Sequence, residues 1–324
     1  MSTPKLQHYV PKFILRQFAN SKEQLYVFDK SNEKIFPNSI KTAGGETNYY
    51  NFEIEDEKLT LEHDLSKIED IIAPYIKRII EERSVAILKD KERIELSVFL
   101  SIQMVRIPSF SAMANDLRQQ IKNIAIKQGA PENYFEIYSA TDKVGNVESI
   151  FRASQIMTAH EQAKYFVNKD WFLMETDAEH PFIIGDNPLC LHNDISFGAY
   201  GNLGLAVPWI QIYFPLTPTL ALAIYCPSHY NKFLSFSKNI SYICKKDLRM
   251  LGIYGNLYKK SNNIVDAIKT GGVLNQKSEN VIFFNSLQIS SAERFVFSSS
   301  KDFSLAQKMI QRNPKLKKGN RAKF

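Results

Sequence analysis

Residues 60–83, which decide the fold of the N-terminal half, read TLEHDLSKIEDIIAPYIKRIIEER. The apolar residues recur every three or four positions, as on one face of an α-helix; they are Leu61, Leu65, Ile68, Ile72, Tyr75 and Ile79. Thr60 is in a position to cap this helix, and Pro74 lies inside it, where it is expected to bend the helix or divide it in two. The pattern therefore predicts a long helix that packs on a core through one stripe.

Further helices are predicted downstream by the same spacing. They cover about residues 90–107, 111–128 and 147–168, with a stop before Pro108 and a loop over residues 130–147. The helix at 90–107 is apolar nearly all round, so we expect it at the centre of the core.

After residue 168 the pattern changes to short apolar runs, which are typical of strands. Strands are predicted at residues 171–175, 181–185, 209–214, 219–225 and 294–297, a helix at 277–292, a hairpin at 25–36 and a loop at 41–57. Strands followed by helices and then by more strands indicate an α+β protein, in which a helix-rich N-terminal half packs on a mixed or antiparallel β-sheet from the C-terminal half. We expect one domain over residues 1–307, helical at about 58–168 and strand-rich at about 169–300.

The positive charge is concentrated at the C-terminus. The chain has 41 basic and 34 acidic residues, a formal charge of +7. Residues 308–324 contain seven lysines and arginines and no acid, so the rest of the chain is neutral overall. We predict a flexible basic tail at 308–324, which either contacts an anionic partner such as nucleic acid or is a solvated terminus.

The composition excludes several classes of protein. With 44% hydrophobic and 23% charged residues, the chain is not disordered, collagen-like or a disulfide scaffold. No apolar run approaches the roughly 20 residues that cross a bilayer, and the N-terminus lacks the pattern of a signal peptide. The three cysteines fit neither a zinc site nor a disulfide framework. We therefore expect a cytoplasmic protein.

Polar residues on apolar helix faces are the first candidates for chemistry. Glu62 and Glu69 are seven residues apart, so they lie on one line of their helix beside apolar residues, where a carboxylate needs a cation, a metal or hydrogen-bond donors. Gln103 and Arg106 share a face of the most apolar helix. A guanidinium there pairs either with an internal carboxylate or with an anionic substrate, and the spacing allows both.

Two further candidates lie at the ends of predicted elements. Asp186 follows an apolar strand in the sequence FIIGDNP at residues 182–188, where an acid can be a metal ligand, a general base or part of an Asx-turn. His8 precedes the first turn of a short helix and is either structural or catalytic. The histidines lack zinc-ligand spacing, and the sequence contains neither a phosphate-binding loop nor a dinucleotide fingerprint.

Several short motifs occur in one order along the chain. The more specific ones are QHYVPKFILRQF at residues 7–18 and FIIGDNP at 182–188. Weaker ones are LEHDLSKIE at 61–69, QMVRIP at 103–108, FPLTP at 214–218, and Asn285 with ERFVF at 293–297. Over about residues 5–300 the chain resembles the domain of unknown function 4238 family, with Gly185 where a serine is commoner.

The resemblance implies no activity, but it selects a set of polar residues: His8, Glu69, Gln103, Arg106, Asp186, Asn187 and Asn285. Histidine, acids, arginine and amides that converge from distant segments are typical of hydrolytic and phosphoryl-transfer sites. The sequence thus predicts one polar site assembled from several motifs.

The favoured hypothesis is a metal-dependent phosphodiesterase, most simply a nuclease that acts as a toxin or a phage-defence effector. Carboxylates would hold Mg²⁺ or Mn²⁺; these are Glu62, Glu69 and Asp186. The other catalytic candidates are His8 as general acid or base, Arg106 on the phosphate, and Gln103, Asn187 and Asn285 as orienting amides. Two alternatives stay open: a non-catalytic interaction protein with a buried network of Arg106 and carboxylates, and an enzyme that processes a nucleotide or NAD.

Overall fold

The structure is a computed structural model that describes residues 5–131, 133, 147–198, 201–319 and 321. It is 51% helical and 19% strand, so the α+β class is confirmed. Most of the predicted loop at 130–147 lies outside the described residues.

The α-helices of the described part are α1 Lys12–Leu15, α2 Glu62–Glu82, α3 Asp90–Val105, α4 Pro108–Lys127, α5 Val147–Thr158, α6 Lys164–Val167, α7 Pro227–Lys246, α8 Met250–Thr270, α9 Ser278–Ser291 and α10 Ser304–Arg312. Helix α2 continues through Pro74, and Leu61, not Thr60, is its N-cap. The helix predicted at 147–168 is divided into α5, a 3-10 turn at Ala159–Gln162, and α6. The pair α7 and α8 was not predicted, because glycine, serine and asparagine weaken its helix pattern.

The strands are β1 Leu6–His8, β2 Gln24–Asp29, β3 Lys34–Ser39, β4 Gly45–Thr47, β5 Asn51–Ile54, β6 Glu57–Thr60, β7 Asp170–Glu175, β8 Ile184–Gly185, β9 Cys190–His192, β10 Gln211–Thr217, β11 Leu220–Tyr225, β12 Val273–Asn275 and β13 Phe295–Ser298. They form a five-stranded sheet in the order β12-β7-β11-β10-β9, a four-stranded sheet in the order β3-β2-β13-β8, and the ribbons β1-β4 and β5-β6. Strand β12 is parallel to β7, and the other pairs named here are antiparallel.

The prediction of a loop at residues 41–57 was wrong, since β4, β5 and the first residue of β6 lie there. These strands have only three or four residues, too few for a visible alternation of apolar and polar side chains. Glu55 and Asp56 both have positive φ and form the tight turn between β5 and β6. The polar run that indicated a loop is therefore a turn between two strands.

The helices of the N-terminal half pack on the five-stranded sheet through one large core. This core joins Ile76 of α2 and Phe99 of α3 to Leu173 of β7, Phe214 of β10 and Leu222 of β11. Much of α3 is buried, as its composition predicted. The expected packing of a helical half on a C-terminal sheet is thus confirmed.

Among the described residues no single helix is long and apolar enough to cross a membrane, and α3 and α4 meet the length and composition criterion only together, with a bend of 52° between them.

The four-stranded sheet joins the two ends of the chain. The predicted N-terminal hairpin is formed by β2 and β3, and β13 pairs with β2 so that Phe295 faces Asp29. A second core lies on this sheet and includes Phe28, Val296, Phe303 and Ile310.

The expected flexible tail at 308–324 needs correction, because its first residues complete α10 and bury Ile310 in the second core. A 3-10 turn at Pro314–Lys317 follows. Two of the basic residues are in ion pairs, Lys317 with Glu33 at 2.9 Å and Arg321 with Glu293 at 2.6 Å. Apolar residues between the charges account for this ordered packing.

Gly45 allows the close approach of β1 and β4, and a substitution there tests this contact. A Cβ atom at Gly45 would lie 2.9 Å from the carbonyl oxygen of Gln7 and 3.2 Å from the ring of His8. Because backbone cannot yield easily, Gly45→Ala is expected to lower the free energy of unfolding by about 1–3 kcal/mol in urea denaturation. The control is Gly252→Ala in α8, where a Cβ meets nothing within 4 Å. It is expected to raise stability by about 0.5–1 kcal/mol. Equal stabilities for the two variants would contradict this account.

Candidate functional site

Buried polar contacts fix the first motif of the chain. Gln7 is fully buried; its Oε1 accepts from the backbone N–H of Tyr50 at 2.6 Å, and its Nε2 donates to Oδ1 of Asn51 at 2.8 Å. The hydroxyl of Tyr50 donates to the carbonyl of His8 at 3.0 Å. These contacts hold β1 beside β5 and set the position of His8.

Gln103 and Arg106 both bind the carbonyl oxygen of Tyr9. Nε2 of Gln103 donates to it at 2.9 Å and Nε of Arg106 at 3.1 Å. The guanidinium, only 1% exposed, also donates through Nη2 to Oε1 of Glu69 at 2.8 Å. The shared helix face predicted for Gln103 and Arg106 therefore binds the backbone of the first motif, and Arg106 pairs with an internal carboxylate.

His8 is buried beside these residues with its Nε2 unpartnered. It is 6% exposed, and within the described residues neither its Nε2 nor Oε1 of Gln103 has a hydrogen-bond partner. Burial, with the positive charges of Lys12 and Arg106, lowers the pKa of His8 to about 4. The imidazole is therefore neutral at pH 7.

Glu62 lies in the same electrostatic neighbourhood. Partial burial and the charge of Glu69 raise its pKa, and Arg106 and Lys12 oppose that shift. Glu62 and Glu69, which the sequence places on one side of the same helix, are thus close enough to interact electrostatically, and Lys12 and Arg106 are the cations near them. Lys12 was missed in the sequence, although it lies within the first motif, four residues after His8. We call these residues the His8 cluster: His8, Lys12, Glu62, Glu69, Gln103 and Arg106.

Asp186 has a different environment. It is 1% exposed, and its carboxylate accepts three backbone N–H groups, from Glu293 at 2.6 Å and from Arg294 and Phe295 at 2.7 Å each. Burial raises its pKa to about 6, against the effect of these donors and of the positive charge of Lys30. At pH 7 it is an ionised carboxylate whose two oxygens hold the start of β13.

Asn285 likewise binds backbone. Its Oδ1 accepts from the N–H of Ile183 at 3.0 Å and its Nδ2 donates to the carbonyl of Pro181 at 2.9 Å. Gln288, one helical turn further along α9, accepts from the N–H of Gly185 at 2.8 Å. The helix thus supplies amide partners to the segment that leads to Asp186. Gln288 was missed, although its spacing of three from Asn285 puts both on one face.

The predicted site residues therefore form two groups. One is the His8 cluster, and the other, near the junction of β8, β13 and α9, contains Asp186, Asn285 and Asn187, whose Nδ2 lies 3.4 Å from the carbonyl of Ser291. Tyr9 is related to both groups, because its carbonyl binds Gln103 and Arg106 while burial and the charge of Asp186 raise the pKa of its hydroxyl.

The three carboxylates predicted as metal ligands are not brought together. Glu62 and Glu69 belong to the His8 cluster, and the oxygens of Asp186 are occupied by backbone donors. Within the residues that the structure describes, no three His, Cys, Asp or Glu side chains are arranged to hold a metal ion. One oxygen of Glu69 is already bonded to Arg106, which leaves fewer carboxylate oxygens of the cluster free for a hard cation such as Mg²⁺ or Mn²⁺.

Comparison with known proteins identifies the family. A family model described as "Protein of unknown function (DUF4238)" matches residues 6–302. The chain belongs to this family. No curated protein and no solved structure matches it.

The DUF4238 motifs of this chain bind one another through backbone atoms. Gln103 and Arg106 of one motif bind Tyr9 of another, Asp186 binds residues 293–295, and Asn285 binds Ile183. Most of the polar residues selected by the resemblance thus have a partner in the fold. Among the residues selected by the resemblance, Nε2 of His8 and Oε1 of Gln103 are the buried side-chain atoms that have no partner in the described part of the chain, which makes the His8 cluster the candidate functional site.

Asp186→Asn tests the structural role of the carboxylate. An amide group presents one NH₂ to donors that need an acceptor, so we expect the free energy of unfolding to fall by about 3 kcal/mol in urea denaturation. The control is Asp64→Asn, an exposed acid paired with Lys67 on the surface of α2. That change is expected to cost less than about 1 kcal/mol. A similar loss in both variants would contradict the role assigned to Asp186.

The buried imidazole predicts a pH dependence of stability. The unfolded chain binds a proton on His8 near pH 6.5 and the folded chain only near pH 4. The free energy of unfolding should therefore fall as the pH falls from 6.5 to 4, by about 3 kcal/mol at most. His8→Gln removes this titration, so its stability should change less over the same range. Equal acid slopes for the two proteins, measured by urea denaturation, would contradict the prediction.

Proposed function

We propose that the protein cleaves phosphodiester bonds in nucleic acid at the His8 cluster. The observation that carries this proposal is the buried, unpartnered Nε2 of His8, held close to the charges of Lys12 and Arg106. An unsatisfied buried polar atom costs about 1–3 kcal/mol, and such atoms are commoner where a ligand or a reacting group completes the hydrogen bond.

The charges of the cluster suit acid–base chemistry on a phosphate. Neutral His8 can accept a proton, whereas Glu62, with its raised pKa, retains a proton more readily than an ordinary glutamate. Lys12 and Arg106 act on both groups and can offset the charge of a phosphate. A bound phosphate would itself raise the pKa of His8 toward neutrality, where proton transfer is most effective.

RNA is the substrate that this cluster suits best, because its own 2′-hydroxyl can serve as the nucleophile. Nε2 of His8 would accept the proton of that hydroxyl while the 2′ oxygen bonds to phosphorus. The bond from phosphorus to the 5′ oxygen breaks, and the leaving oxygen takes a proton from Glu62. The products are a 2′,3′-cyclic phosphate and a free 5′-hydroxyl. One proton moves to His8 and one leaves Glu62, and no water molecule takes part in the step.

The basic C-terminal residues would add non-specific affinity for nucleic acid. Lys308, Arg312, Lys315 and Lys318 are exposed, whereas Lys317 and Arg321 are in ion pairs. Action in the cytoplasm, as a toxin or a phage-defence effector, stays a prediction of the same hypothesis.

A cleavage assay tests the proposal. The purified chain is incubated with labelled single- and double-stranded RNA and DNA and with free nucleotides and NAD, each with Mg²⁺, Mn²⁺ or EDTA. We expect cleavage of RNA that persists in EDTA and falls about 100-fold or more in His8→Gln and in Glu62→Gln. The control is Glu81→Gln, an exposed acid of the same helix, which should retain full activity.

Other outcomes would overturn the proposal or redirect it. Cleavage that EDTA abolishes would restore the metal-dependent hypothesis, and turnover of NAD or a nucleotide alone would favour that substrate class. Activity that is unchanged in both cluster variants would remove the His8 cluster from the chemistry.

A non-catalytic interaction protein is the second candidate. It is favoured by the pairing of the buried charges, since Arg106 binds both Tyr9 and Glu69 and Asp186 accepts three N–H groups. No cleavage of any substrate by the folded wild-type chain, together with loss of stability in Arg106→Gln, would support this candidate.

A further inference from the structure

The paired helices α7 and α8 project from the five-stranded sheet. Residues at the far end of the pair from its turn are buried, such as Val265 and Ala267 of α8, and Ala267 packs in the apolar cluster on β7 and β11. By contrast, no residue from 245 to 260, a stretch that the structure describes completely, is buried. The turn end of the pair, which we call the hairpin tip, therefore extends into solvent.

The hairpin tip exposes large apolar side chains. Leu248, in the turn, is 75% exposed and Ile253 is 65% exposed. Four neighbours along the two helices are also exposed: Tyr242, Ile243, Leu251 and Leu257. Leu248 and Leu251 border a shallow cavity of about 210 Å³ that Cys244 and Tyr258 also line. Single exposed apolar residues are ordinary, but six of them between Tyr242 and Leu257, around one turn, indicate an interaction site.

Positive charge surrounds this apolar surface. Residues 227–270 contain eight lysines and arginines and two aspartates, a net charge of +6. Five of the basic residues are near the tip: Lys245, Lys246, Arg249, Lys259 and Lys260. Of the two acids, Asp247 is already paired with Arg249 at 2.8 Å. The hairpin tip thus has exposed apolar side chains surrounded by basic residues. A matching partner should have a negatively charged surface above an apolar interior.

We propose that the hairpin tip docks on an anionic lipid surface. Leucine and isoleucine side chains would enter the boundary between headgroups and acyl chains, and the lysines would contact the anionic headgroups. A second copy of the chain would bring like charge against like charge. Nucleic acid offers no apolar surface for exposed aliphatic side chains. This proposal does not depend on nucleic-acid cleavage at the His8 cluster.

Vesicle binding of the full chain tests the proposal. The chain is floated with vesicles of phosphatidylcholine alone or with added phosphatidylserine, and binding is expected only to the anionic vesicles. Leu248→Ser/Ile253→Ser should weaken that binding about tenfold or more, because two apolar side chains no longer enter the lipid. The matched control is Met157→Ser, an equally exposed apolar residue on α5, which should bind as the wild type does.

Fluorescence separates insertion from attraction by charge alone. Tyr242→Trp should show a blue shift of emission when anionic vesicles are added, and Met157→Trp should not. Binding that the double variant retains at wild-type strength would show contact through charge only, for which the basic C-terminus is sufficient, and would overturn the proposal. Absence of binding to anionic vesicles would also overturn it and would point to an acidic protein as the partner.

Discussion

The carbonyl oxygen of Tyr9 is the acceptor on which the arrangement of the N-terminal half depends. Gln103 and Arg106 both donate to it, so its two lone pairs are used by the last turn of α3 and the residue that caps it. Arg106 also reaches Glu69, and one buried guanidinium thereby connects the first motif, α2 and α3. Such a charge is stable only while both partners are present, because a buried ion without its partner costs about 3–5 kcal/mol. The position of His8, one residue before Tyr9, follows from this constraint.

The same principle holds the other motifs together. The side-chain oxygens of Asp186 and Asn285 accept hydrogen bonds from backbone N–H groups, as carbonyl oxygens do in a sheet. Lys30 donates through Nζ to the carbonyls of Ile289 and Ala292 at the end of α9. Polar side chains bonded to backbone of distant segments fix geometry without regular sheet pairing, which suits irregular junctions such as the short β8. The His8 cluster differs, since it combines paired charges with buried atoms that have no partner in the described part of the chain.

Much of the fold could be predicted from the sequence because it depends on local periodicity. The stripe of α2, the apolar α3 and the hairpin of β2 and β3 each have a local signal, and each is formed. Short strands such as β4 have too few residues to show a periodic pattern. In α7 and α8 the polar residues obscured the helical periodicity of the apolar ones. Among the site residues, the shared face of Gln103 and Arg106 was predictable from their spacing. The acceptor of their hydrogen bonds could not be predicted, because it is a backbone carbonyl oxygen and every residue type has such an oxygen. The role of Asp186 was hidden for the same reason, as its donors are three backbone amides more than 100 positions away.

The pairing of β2 with β13 has a consequence for biosynthesis. Strand β2 ends at Asp29 and β13 begins only at Phe295, yet Val27 faces Phe297 in one sheet. While the ribosome is still translating the middle of the chain, β2 and β3 can form only a two-stranded hairpin, which is marginally stable alone. The ammonium group of Lys30 has no helix end to bind until α9 has been made. The second core therefore cannot assemble before α9, β13 and α10 have been translated, and until then nascent chains expose an unpaired strand edge to which chaperones can bind.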